Sequence, residues 1–181
     1  EAKLSYATSA TILETLPGIS APVSANEILK DIHDPILREL PRDTFLNQMF
    51  RRDIYVKGPR TLTQHEAVRR IDLSRFILVG EPDKRPLSVK TNFGDAELRP
   101  DIYDPIVNAI VKAHAGTVQV GQMLASGDLG SLSRNQVWQA MQMLVAAGFI
   151  APASQSTNPA ADEAASRGLN KLLLDRAEAD D

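Results

Sequence analysis

Residues 41–63 read Pro-Arg-Asp-Thr-Phe-Leu-Asn-Gln-Met-Phe-Arg-Arg-Asp-Ile-Tyr-Val-Lys-Gly-Pro-Arg-Thr-Leu-Thr. The hydrophobic period changes inside this stretch, which marks a joint between a helix and a strand. Phe45, Leu46, Met49 and Phe50 stand at i, i+1, i+4 and i+5, so they share one helical face that can seat the joint in a core. A helix ending at Phe50 then hands Arg51 and Arg52 to a short strand, Ile54-Tyr55-Val56, which Lys57-Gly58-Pro59 closes. Two readings of these cations stand side by side. Either they cap helix carbonyls or solvate a surface, as cations at helix C-termini commonly do, or they form a docking site for an acidic partner or anionic ligand, with Arg60, Arg69 and Arg70.

The distribution of charge makes the joint stand out. Residues 51–70 carry six Lys or Arg against two acids, a local net of +4, whereas residues 1–50 come to −3 and the whole 181-residue chain to −3. Residues 101–157 hold only two cations, so a nucleic-acid footprint over the whole surface is not expected. Length and apolar content allow one ordinary domain or two small ones with a real core. There is no cysteine, which removes disulfide frameworks and thiolate chemistry and is compatible with a reducing cytoplasm. No apolar run approaches the roughly 18 residues of a membrane span, and no basic-then-apolar leader opens the chain. The first residue is Glu1, not Met, so a piece of a longer polypeptide or a processed product is expected.

Toward the N-terminus, residues 3–7 suit a short strand. Ser9 can cap a helix with Ile12, Leu13 and Leu16, ended by Pro17-Gly18. After a linker at Pro22, Ser24 and Glu27 read as a capping box opening a helix with Ile28, Leu29 and Ile32 on its apolar side. Asp34-Pro35 restarts a helix as N-cap and N1, with Ile36, Leu37 and Leu40 spaced for burial, until Pro41 bends or breaks it. Past the joint, Thr63 and Glu66 form a second capping box over Ala67, Val68 and Ile71. Residues 75–80 and 86–93 read as strands around a charged turn.

The second half is clearer. A helix started by Asp101 or Asp104 with Pro105 carries Ile102, Ile106, Ala109, Ile110 and Ala113, and Gly116 ends it. Thr117-Val118 is extended, Val120, Met123 and Leu124 line a brief helix, and Ser133 with Gln136 caps a long one that Gly148 stops. Phe149-Ile150-Ala151 is a strand. This order is that of a winged-helix-like unit. The fold class expected is therefore α+β and mostly helical, with a mixed unit over 1–95, a winged-helix-like unit over 96–152, and a linker and C-terminal helix over 153–181. In the last, residues 153–158 form the connection, Asn158-Pro159 caps, and Leu169, Leu172 and Leu173 are the apolar positions.

Catalytic patterns are sparse. His33, His65 and His114 lack metal-ligand spacing, Asp101 and Asp104 suit helix starts better than acid–base work, and no G-x-S-x-G elbow occurs. Val79-Gly80-Glu81 holds one glycine, too few to cradle a nucleotide, so a plain turn is expected. No catalytic, cofactor or metal residues are assigned. DNA binding is the rival reading, because the helix beginning Arg134-Asn-Gln-Val-Trp138 offers base-reading side chains, although Lys112 and Arg134 are the only cations of residues 101–157. Trp138 and Met141 read as packing residues.

Three stretches carry a family resemblance: Leu4-Ser-Tyr-Ala-Thr-Ser-Ala with Leu16-Pro17, Asp34-Pro-Ile-Leu-Arg-Glu, and Phe45-Leu-Asn-Gln-Met-Phe-Arg-Arg52 with its strand. Together with the helical unit over 101–151, they resemble the methyltransferase regulatory domain family, bacterial segments that follow an S-adenosylmethionine-dependent catalytic domain. The resemblance implies a non-catalytic regulatory or substrate-recognition region, with S-adenosylmethionine held elsewhere in the polypeptide. Its implied partners are that catalytic domain, a protein acceptor, or a second copy. Arg51, Arg52, Arg60, Arg69 and Arg70 are the candidate contacts, and a protein-interaction scaffold is a further alternative.

Overall fold

A computed structural model describes residues 3–16, 19, 23–48, 50–92, 94–113, 116–154 and 159–179. Strand β1 (Leu4–Ser9) leads through a single 3-10 turn (Ile12–Thr15) to helices α1 (Val23–Lys30) and α2 (Pro35–Leu46). Strand β2 (Asp53–Lys57), helix α3 (Gln64–Leu73) and strands β3 (Arg75–Leu78), β4 (Ser88–Thr91) and β5 (Gly94–Glu97) follow. The chain continues through α4 (Pro100–Lys112), β6 (Thr117–Gln119), α5 (Val120–Ala125), α6 (Arg134–Ala146), β7 (Ile150–Ala153) and α7 (Pro159–Ala179). The class is α+β, rich in helix, with small antiparallel sheets.

The main core forms around β3. This strand lies between β6 and β7 and is antiparallel to both, with Phe76 opposite Val118 on one side and Pro152 on the other. Pro152 has no N–H to donate, which an edge strand tolerates. Phe76 and Val118 join Ile106, Val107 and Ile110 of α4, Val120 and Met123 of α5, and Val137, Ala140, Met141 and Leu144 of α6 in one buried cluster. The α4 and α6 residues recur at three and four, so each helix presents one apolar stripe to the sheet. Val89 of β4, Leu98 and Leu16 belong to the same cluster. Packing and pairing therefore run across the boundary expected at residue 95.

Two glycines have packing reasons. A Cβ on Gly121 would stand 2.9 Å from the Asp72 carbonyl oxygen, so the start of α5 presses directly on the end of α3. A Cβ on Gly80 would stand 2.7 Å from Phe149 Cδ2, while Val79 and Gly80 both donate backbone N–H bonds to the Phe149 carbonyl at 3.0 Å. The turn at Val79-Gly80-Glu81 is thus a close approach of backbone to an aromatic ring.

The Thr63 and Ser133 capping boxes form as expected. At Ser24 the expectation fails, because α1 already begins at Val23 and Ser24 lies inside it. The segment after Ser9 is a 3-10 turn preceded by Thr11. Helix α4 begins at Pro100 with Arg99 before it and no side-chain cap. Asp101 instead pairs with Arg99, and Asp104 with Arg85 at 2.9 Å. Pro41 neither ends nor breaks α2, which runs through it to Leu46. Strand β5 lies beyond the strand expected over 86–93, where the sequence reading places no element, and pairs Ala96 with Val89. Expectations at Pro17-Gly18, Pro22, Met49, Phe93, His114 and 155–158 lie outside the described residues.

Candidate functional site: the corner between α2 and β2

Helix α2 stops four residues earlier than its apolar spacing predicts. Asn47 takes a left-handed φ of 48°, Gln48 N–H donates to the Asp43 carbonyl at 2.9 Å, and Asn47 N–H donates to the Thr44 carbonyl at 3.3 Å. This six-to-one and five-to-two pair is the Schellman ending, with Asn where Gly is commoner. The expected continuous face through Phe50 is therefore interrupted, and Phe50 is 89% exposed.

Beyond the turn, Arg51 points inward. Its Nη1 donates to Glu39 Oε2 at 2.9 Å and to both Asp43 carboxylate oxygens at 3.1 Å, and its Nη2 to Asp53 Oδ2 at 2.7 Å. The Asp53 hydrogen bond is the main cause that raises the Arg51 pKa further above its ordinary value. The guanidinium also stands 5.8 Å from the centre of the Tyr6 ring, which meets Tyr55 edge-on across β1 and β2. Burial, then the charges of Glu39 and Asp53, push the Tyr6 hydroxyl above its usual pKa. Arg42 continues the network. It is 6% exposed, donates from Nη1 to Glu39 Oε2 at 2.8 Å, and holds Nη2 3.9 Å from Glu14 Oε2. Glu14 in turn accepts from Ser9 Oγ and from Gln48 Nε2.

Two arginines thus serve four carboxylates, and the corner is acidic in balance although its surrounding sequence is basic. A cleft of about 760 Å³ opens beside it between β1, α1 and α2. Glu14, Glu27 and Glu39 line it together with Lys30, Arg38 and Arg42. Sequence reading missed this cleft, since its walls come from three elements with no shared motif; the only local signal is the run of charges along α2.

The other candidate cations are outside the network. Arg52 is exposed, and its carbonyl accepts from Ala10 N–H at 2.8 Å, which extends the β1–β2 pairing by one bond. Arg60 pairs with Glu66 at 2.5 Å, and Arg70 lies close enough to the same carboxylate to favour its ionised form. Arg69 and Arg70 are exposed on α3, and neither makes an ion pair among the described residues. Arg60 and Arg70 are therefore brought together around Glu66, while Arg51 is drawn into the interior. Arg134, the first base-reading candidate, is engaged in a forked pair with Asp72, Nε to Oδ1 at 2.8 Å and Nη2 to Oδ2 at 3.3 Å. Trp138 packs against the core, its ring 6.2 Å from that of Phe76. Among the described residues no group of three or more His, Asp or Glu could hold a metal ion. None of the described helices is long and apolar enough to cross a membrane.

Residues 1–57, which include the whole corner, match the family described as the predicted methyltransferase regulatory domain. The chain is 30% identical over 157 residues to an uncharacterized protein of Synechocystis sp.. That match takes in 87% of this chain but 30% of the relative, so the chain spans less than a third of the length of the curated relative it matches. Among solved structures, PKMT2 from Rickettsia typhi is similar at 14% identity with a TM-score of 0.49, over 84% of this chain and 34% of that one.

Proposed function

We propose that the chain is a non-catalytic regulatory or acceptor-recognition region of an S-adenosylmethionine-dependent methyltransferase. The match of residues 1–57 to the predicted methyltransferase regulatory domain carries this reading. S-adenosylmethionine would be bound by a separate catalytic domain of the same cytoplasmic polypeptide, and the acceptor is a protein. In this reading the chain contributes no acid or base. It raises transfer by holding the acceptor in place, which converts an encounter into an oriented approach. Arg52, Arg60, Arg69 and Arg70 are the acceptor contacts, being exposed cations, and Arg51 fixes the corner that presents Arg52. The unit from α4 to β7 is a winged-helix-like packing module in this scheme.

The test is methyl transfer by the whole polypeptide. Arg69→Glu with Arg70→Glu raises the KM for the acceptor roughly tenfold or more and leaves S-adenosylmethionine binding unchanged, as expected for lost positioning contacts. Unchanged acceptor kinetics in a folded variant removes the arginines from the acceptor site. A whole polypeptide that does not bind S-adenosylmethionine removes the reading itself.

A further inference from the structure

Helix α2 has its polarity reversed. Glu39, Arg42 and Asp43 stand at i, i+3 and i+4, the spacing of a core-facing stripe, and they face the ion network. Leu37, Leu40, Pro41, Thr44 and Phe45 fall on the other side; Leu37 is 61% and Leu40 70% exposed, and Phe45 is exposed as well. Phe50 follows just beyond the helix as an exposed aromatic. A surface helix ordinarily does the opposite, turning its leucines in and its charges out. The expectation that Leu37 and Leu40 are spaced for burial is thus correct in period, yet among the described residues no surface buries them. Besides Leu16, which joins the main core, the buried apolar residues of the small unit around α2 are, among the described residues, Ala25 and Leu29.

We infer that the Leu37–Leu40–Phe45 face of α2 is the seat of the catalytic domain of the same polypeptide. This rests on the function proposed above. Two observations select this occupant. The face lies within residues 1–57, the part that matches the regulatory domain family. The matched relative is more than three times as long as the aligned segment, which leaves room for a further domain in a polypeptide of that length. The seat is apolar, as stable domain contacts are at their centres, so the opposing surface is an apolar patch on the catalytic domain. On this arrangement the ion network behind α2 acts as a rigid backing, fixing the angle at which the leucines are presented.

The chain has no cysteine, so an introduced thiol reports a single position. Leu40→Cys and Leu37→Cys are placed on the face, and Leu87→Cys serves as a control on an equally exposed loop residue, 70% accessible. Labelling by a thiol reagent is followed by mass spectrometry in the isolated 181-residue chain and in the whole polypeptide, with S-adenosylmethionine binding measured alongside. The expected result is labelling at least about tenfold slower at positions 37 and 40 in the whole polypeptide, with no change at position 87. Equal rates in the two forms overturn the interface while S-adenosylmethionine binding keeps the proposed function. Protection in a polypeptide that binds no S-adenosylmethionine overturns the catalytic domain as occupant. Protection that grows with concentration of the isolated chain assigns the face to a second copy, and slowing at position 87 to the same degree shows unspecific shielding; either outcome overturns the inference.

Discussion

Arg51 and Arg52 are neighbours in sequence with opposite situations. Arg51 holds three carboxylates of α2 and β2 together, whereas the Arg52 side chain makes no ion pair among the described residues. Removing one partner from this half-buried ionic group leaves carboxylates that keep part of their desolvation penalty and repel one another. Arg51→Met is therefore expected to lower the opening free energy of the β1–β2 pair by about 1–3 kcal/mol, the cost of leaving hydrogen-bonded polar groups without their partner, read from amide exchange of the β2 strand. Arg52→Ala is expected within about 0.5 kcal/mol of the parent, as surface substitutions usually are. Sequence spacing located this pair at a helix-to-strand corner but could not tell its members apart. The difference depends on Asn47, whose left-handed turn rotates the chain before Arg51, and on Glu39 and Asp43, whose inward direction is fixed only when α2 packs.

At the scale of elements, the α3 capping box gives a pH dependence with a definite sign. Hydrogen bonds from the Thr63 backbone N–H and hydroxyl hold the Glu66 carboxylate below its ordinary pKa. A carboxylate whose folded pKa is depressed stabilises the native state fully above its unfolded value, about 4.3, and that support disappears as pH falls through the lower folded value. Amide protection in the first turn of α3 should accordingly fall between about pH 5 and pH 3. Glu66→Gln keeps an acceptor oxygen without the titration, so its protection should stay flat over that range. Equal slopes in the two proteins would remove the carboxylate as the cause.

Most element positions were legible in this way, from local chemistry that acts within three or four residues. The boxes at Thr63 and Ser133 and the stop at Gly148 are such cases, the last formed with Gly148 at φ 70°. Readings failed where a local preference met a tertiary demand. Pro41 deprives the Leu37 carbonyl of its helical donor, but Leu37 faces outward and water can serve that oxygen, so α2 continues. The same outward turn made Leu37 and Leu40 misleading as core residues. The cleft beside Arg42 was not legible at all, since it depends on how β1, α1 and α2 come together.

For the molecule as a whole, the core is made by α4, α5, α6 and the sheet of β6, β3 and β7, and α7 stands apart. Every described side chain of α7 from Asp162 to Glu178 is exposed, and Leu169, Leu172, Leu173 and Leu174 are all among the exposed apolar residues. A chain ended after Ser154 is expected to unfold thermally within about 2 °C of the longer one, since none of the described side chains lost is buried. A larger drop in a calorimetric scan would show that α7 contributes to the core in solution.

The central place of β3 also constrains the order in which this protein can be made. Residues 75–78 leave the ribosome well before either flanking strand, and the second partner is complete only at Ala153. Until then the strand carries bare hydrogen-bonding edges, which invite pairing with other chains, and closure across so many residues is slow compared with helix formation. The nascent polypeptide therefore passes through an interval in which α3 and α4 can exist but the sheet cannot. A factor that shields β3 during that interval, or a translation rate that shortens it, is expected to raise the yield of folded protein.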